Sequence, residues 1–197
     1  MNTSLRSPAL VAGISLALMV VLAPLGLLWA LPAGANGAAA LTVLVIAALD
    51  VLAGVALYPV LRSGGELLAL SAAAMRVAYG AVFAVAAGFL MAPADPERFQ
   101  AIWDAGLFVF GLHLALVGIA AVRSPFIPTW IGLLVVIAGA GYAIDSATIA
   151  LLPANPTMLG QFTFIGEVVL LVWLIGWCGR ARGVRIDRAV GATGSVR

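Results

Sequence analysis

Apolar residues run along this chain in six long blocks. Each is close to the roughly 20 residues that a helix needs to cross about 30 Å of hydrocarbon. The blocks fall at residues 9–31, 38–61, 67–91, 101–122, 129–152 and 159–177. Between them lie short stretches rich in Pro, Gly and polar residues: Pro32-Ala33-Gly34-Ala35-Asn36-Gly37, Arg62-Ser63-Gly64-Gly65, 93–96, Ser124-Pro125 and 153–156. Pro lacks the N–H that a helix interior needs, and Gly frees the backbone to turn, so such stretches end helices. Connections this short force neighbouring helices to run antiparallel and leave no room for a soluble domain. The pattern predicts an all-α polytopic membrane protein, a six-transmembrane-helix bundle over residues 1–178 with a polar, Arg-rich tail at 179–197. Pro24 and Gly26 predict a kink in the first block. That block exceeds the roughly 7–15-residue core of a signal peptide, so it reads as a retained span.

Composition agrees. Of 197 residues, 64% are hydrophobic and 9% charged, with a mean hydropathy of +1.17. A soluble domain carries about 25% charged residues. So few charges cannot clothe a water-facing surface, which excludes a cytosolic enzyme, a secreted disulfide domain and a nucleic-acid-binding module. The net charge is only +2. All ten basic residues are Arg, and with so much Ala, Gly, Leu and Val this suggests a GC-rich bacterial genome. With six antiparallel spans, one side of the membrane collects Arg6, Arg62, Arg123, Arg180, Arg182, Arg185, Arg188 and Arg197, and the other only Arg98. Arginine gathers on the cytoplasmic side, so both termini are expected in the cytoplasm, with the chain in the bacterial cytoplasmic (inner) membrane. The lipid bilayer is the expected partner, and the tail would favour anionic lipids. An oligomer is open.

Ionisable groups at membrane depth carry the chemistry, because each costs at least about 2.5–3.5 kcal/mol to insert and so turns towards the bundle interior. Asp50 and Arg76 fall mid-span in the second and third blocks, equally far from the turn at Ser63-Gly64. In an antiparallel hairpin they share a depth and can neutralise one another. Asp145 and Glu167 likewise fall at similar depths in the fifth and sixth blocks. If these like charges approach, a proton or cation would be shared between them. His113 lies near the middle of the fourth block, and Asp104, a secondary candidate, near its outer end. Nine residues part them, about half a turn around the helix, so they cannot point at one spot. Small residues share these faces: Gly80, Ala84 and Gly88 follow Arg76 at four-residue steps, Gly54 accompanies Asp50, and Gly111 and Gly118 accompany Asp104. Such stripes mark close helix packing. Each charge also has a plain structural reading: an ion pair fixing register, a carboxyl bonded to hydroxyls or backbone, a packed histidine.

The ligand candidates are therefore Asp50, Arg76, His113, Asp145 and Glu167, with no catalytic residue and no metal site. One Cys, Cys178, and one His, His113, cannot build a multi-ligand zinc or haem site, and no cofactor is expected. Walker A, dinucleotide, H-E-x-x-H and G-x-S-x-G motifs are absent. Whether the chain is an enzyme stays open, with the balance against it: an aspartyl dyad of Asp145 and Glu167 is opposed by the Glu and by its position. An inverted repeat is a further reading, since Ala48-Leu49-Asp50 resembles Ala143-Ile144-Asp145.

Three stretches resemble a known family: Ala56-Leu57-Tyr58-Pro59-Val60-Leu61-Arg62 followed by 68–77 with Arg76; Gly111-Leu112-His113-Leu114 through Arg123-Ser124-Pro125-Phe126-Ile127-Pro128; and 139–146 with Asp145, then Ile165-Gly166-Glu167 to Leu174. In these the chain resembles the bacterial integral membrane family catalogued as domain of unknown function 4386. The resemblance implies a six-helix membrane protein and assigns no activity, substrate or residue role. Two functional readings stand side by side. One is a transporter-like module whose polar centre binds a proton, cation or small solute. The other is a non-transporting scaffold or accessory protein whose buried charges only specify helix packing.

Overall fold

The computed structural model describes residues 5–178, so the Arg-rich stretch 179–197 lies outside the described residues. Among the described residues all regular structure is helical. Helix α1 (Arg6–Ala23) continues into a wider π-helical stretch, Pro24–Ala30. The kink expected at Pro24 is thus realised as a change of helical pitch. The missing proline N–H is accommodated where the ladder widens, and Gly26 lets this stretch lie against Thr42 of the next helix.

Helix α2 (Asn36–Leu61) and helix α3 (Glu66–Gly88) form a hairpin through a short 3-10 turn at Arg62–Gly64. Gly65 sits there at φ 140°, a backbone region that favours glycine. Helix α4 (Pro96–Arg123) starts with Asp95 accepting the Arg98 N–H at 3.0 Å and with Pro at its first position. Helix α5 is Thr129–Leu151. The last apolar block does not form one continuous helix. It breaks into α6 (Gly160–Thr163) and α7 (Ile165–Gly176).

Among the described residues five helical runs are long and apolar enough to cross a membrane: Arg6–Ala30, Asn36–Gly64, Glu66–Gly88, Pro96–Arg123 and Thr129–Leu151. The sixth apolar run, Gly160–Gly176, is shorter than these. The sequence pattern expected six comparable spans. The last is shortened because its first backbone N–H groups are held by a side chain of α5, described below.

The helices pack in a closed ring: α1 on α2, α2 on α3, α3 on α4, α4 on α5, α5 on α7, and α7 back on α1. The α4–α5 contact is the most extensive, and glycine is the reason. A Cβ on Gly111 would sit 2.6 Å from the Gly139 carbonyl oxygen, and one on Gly139 would sit 2.5 Å from that of Gly111. Gly118 and Gly132 oppose each other in the same way. Lipid supplies no hydrophobic drive between helices, so close backbone packing is what holds them. The ring closes where Gly13 of α1 admits Leu174 and Ile175 of α7. There Arg6 Nη1 donates to the carbonyls of Leu174 (3.3 Å) and Cys178 (3.1 Å), placing a cation on the negative end of α7. Outward, the helices present large apolar side chains such as Leu28, Val55, Leu67, Val85 and Phe162, the surface that hydrocarbon accepts.

Candidate functional site

Asp50, Arg76, His113 and Glu167 all lie about ten residues, or about 15 Å, from the helix ends at Leu61, Glu66, Arg123 and Gly176. Four different helices therefore bring them to one depth in the ring. Arg76 Nη2 donates to Asp50 Oδ1 at 2.7 Å, with the side chains 3% and 2% exposed. The pairing expected from equal depth is formed. Glycines make room for it reciprocally: Gly54 of α2 lies against the Arg76 Cβ, and Gly80 of α3 against the Asp50 Cβ.

The second guanidinium nitrogen, Nη1, lies 3.1 Å from His113 Nε2. Arginine has no acceptor, so Nε2 must offer its lone pair. The proton then resides on Nδ1, which donates to the Ala72 carbonyl at 2.7 Å. His113 is therefore held as a neutral acceptor, with no nitrogen left over for relay while Arg76 stays in place. Phe110 completes the enclosure. Its ring centroid lies 5.4 Å from Arg76 Cζ and 5.9 Å from the His113 ring. Tyr79 and Tyr142 pack on the same ring. Arg76 Nε is buried without a partner among the described residues.

Glu167 is the second carboxylate at this depth. It is half-buried, and the Tyr142 hydroxyl, Arg76 and Asp50 are close enough to act on it electrostatically.

Asp145 is used otherwise than as a partner of Glu167. Its Oδ1 accepts from Thr157 Oγ1 (2.7 Å) and the Leu159 N–H (2.8 Å), and its Oδ2 from the Gly160 N–H (2.6 Å). Thr157 is also bound to Thr148 Oγ1 through both its N–H and its hydroxyl, each at 3.0 Å. The connection after α5 folds back over the end of that helix, and Asp145 caps α6. Like-charge proton sharing between Asp145 and Glu167 is replaced by this clasp, because backbone N–H groups at a helix start satisfy the carboxylate instead. Asp104 also stands apart, accepting from Gln100 Nε2 at 2.8 Å, while its backbone carbonyl accepts from Ser146 Oγ at 2.7 Å.

Tyr142, Phe110 and Thr157 were not singled out from sequence. A signal existed for two of them. Phe110 is three residues before His113, and Tyr142 three before Asp145, spacings that share a helix face. For Thr157 there was none, since its role depends on the loop folding back.

The fold and this centre define a class: an apolar helical bundle of membrane type with charges gathered at one depth inside it. Residues 32–176 match the family model described as domain of unknown function (DUF4386), and the chain belongs to that family. It is also 35% identical, over 133 residues, to an "Uncharacterized protein" of Archaeoglobus fulgidus, covering 68% of this chain and 79% of the relative. No solved structure matches the chain significantly.

Proposed function

We propose that this protein is a multi-pass protein of the bacterial cytoplasmic membrane, with both termini in the cytoplasm, acting as a transporter-like module. Its polar centre binds a proton, a cation or a small solute. The observation that carries the reading is a charge count. Asp50 neutralises Arg76, and His113 is a neutral acceptor. Glu167 then adds a carboxylate that no second cation among the described residues matches. A packing role alone has no use for that extra charge at the cost of burying it. On this reading the tail beyond residue 178 meets anionic lipid.

The test is uptake into proteoliposomes containing the purified chain, with inward and outward pH gradients and a panel of small solutes. Gradient-dependent flux that is lost in Glu167→Gln supports the reading, and no flux in the parent protein counts against it.

One observation favours the second reading, a non-transporting scaffold. The Asp50–Arg76–His113 unit uses both Nη atoms, both imidazole nitrogens and two facing glycines, a closed arrangement that fixes helix register. It predicts loss of yield or of a partner complex in Asp50→Asn, with no flux in any variant.

A further inference from the structure

Every other carboxylate near the centre has its partners supplied. Asp50 is held by Arg76, and Asp145 by Thr157 and two backbone N–H groups. Among the described residues Glu167 alone sits at mid-depth, half-buried and matched to no cation of its own. The groups that face it are Tyr142 from α5, Arg76 and Tyr79 from α3, and Asp50 from α2. His113 of α4 is turned to Arg76. The described part of α1 carries one ionisable side chain, Arg6, at the far end of the helix, where it caps α7.

This setting selects among the species left open above. A hard metal cation wants about six oxygen ligands, and among the described residues no group of His, Cys, Asp and Glu could hold one. A proton needs one carboxylate oxygen and no coordination shell. Arg76 keeps a buried Nε–H without a partner among the described residues, so the centre retains a donor for the ionised form. The Tyr142 hydroxyl can donate to the carboxylate or accept from the carboxylic acid.

From this we propose that Glu167 is the proton-exchanging group of the centre, with Tyr142 as its positioning residue, while Asp50, Arg76 and His113 form a fixed frame. The step is a simple transfer. The carboxylate takes a proton from water to form the neutral acid, and returns it to water on the reverse. The inference deepens the transport reading, and spectroscopy tests it separately from flux. The chain is reconstituted in lipid nanodiscs and followed by infrared difference spectroscopy between acidic and alkaline buffer. A carboxylic C=O stretch should be lost on going alkaline, be missing in Glu167→Gln and persist in Asp145→Asn. In Glu167→Asp and Tyr142→Phe it should persist with a displaced frequency or midpoint, which covers the case of a poorly folded Gln variant. If the band lost in the parent survives unchanged in Glu167→Gln, the proposal is overturned. If the band behaves as expected, the proposal stands even where the liposomes show no flux. Flux that Glu167→Gln leaves unchanged overturns it even where transport is real.

Discussion

Arg76 and Asp50 approach to 2.7 Å in a place where neither has access to anything but protein. The closeness depends on Gly54 and Gly80, which let α2 and α3 come together beside both side chains. Removing one member strands the other as an unpaired buried charge, at a cost of about 3–5 kcal/mol. Asp50→Asn and Arg76→Gln should each lower the melting temperature of the detergent-purified protein sharply. The double variant, which carries no charge, should recover a substantial part of the loss. Thermal unfolding followed by fluorescence measures all three, and a double variant as unstable as the sum of the two singles would contradict the pairing.

Gly111 and Gly139 set a second test, now of helix packing. Each lies where a Cβ would run into the other's carbonyl oxygen. Gly139→Val forces α4 and α5 apart and should cost about 1–3 kcal/mol, as overpacked sites do. Gly88 has nothing within 4 Å of a Cβ, so Gly88→Ala should be neutral or stabilising by up to about 1 kcal/mol, from its helix preference alone. Melting temperatures of the two variants, compared in one detergent, separate a packing glycine from an incidental one.

Much of this was legible in the residues. The long apolar blocks and their breakers gave the helix order to within a few residues, because chain length and hydrocarbon thickness constrain both. Equal distance from the Ser63-Gly64 turn gave the Asp50–Arg76 pair, because a hairpin with a short turn has little freedom of register. For Asp145 and Glu167 the same distance argument did not reveal the partners of Asp145. It assumes two continuous helices, and the second is broken at Phe164. Depth matching also says nothing about which group satisfies a carboxylate. Here backbone N–H groups at Leu159 and Gly160 were the nearer partners. The position of His113 against Arg76 was hidden for a related reason: α3 and α4 are joined by a longer connection at 89–95, which leaves their register undetermined by counting.

Asp145→Asn tests the clasp at the start of α6. Asparagine keeps one oxygen acceptor but cannot receive from Thr157, Leu159 and Gly160 together with the strength of a carboxylate. The variant should lose about 1–3 kcal/mol, the range for a weakened buried cap and its unmet donors. The loss should be local. Backbone hydrogen exchange at 157–163 should rise well above that in the parent, while α4 and the α2–α3 hairpin stay protected. Uniform acceleration across all helices would instead make Asp145 a global support.

Cys178 gives a test at the other end of α7. The thiol is 3% exposed, and burial, opposed by Arg6, pushes it up from 9.0 to about 11. At neutral pH it is therefore a protonated, shielded thiol, and the thiolate is the reactive form. Maleimide should label the folded protein slowly and the SDS-unfolded protein at once. The raised value also has a consequence for stability. Between about 9 and about 11 the folded state still holds the proton and the unfolded state has released it, so the slope of unfolding free energy with pH is negative. Stability contributed by the thiol is whole below about 9 and is lost as pH climbs through about 11. Cys178→Ser should remove that alkaline-side loss, and Arg6→Ala should quicken labelling by freeing the end of α7. Equal labelling rates for folded parent, folded Arg6→Ala and unfolded chain would contradict the closure of the ring at this corner.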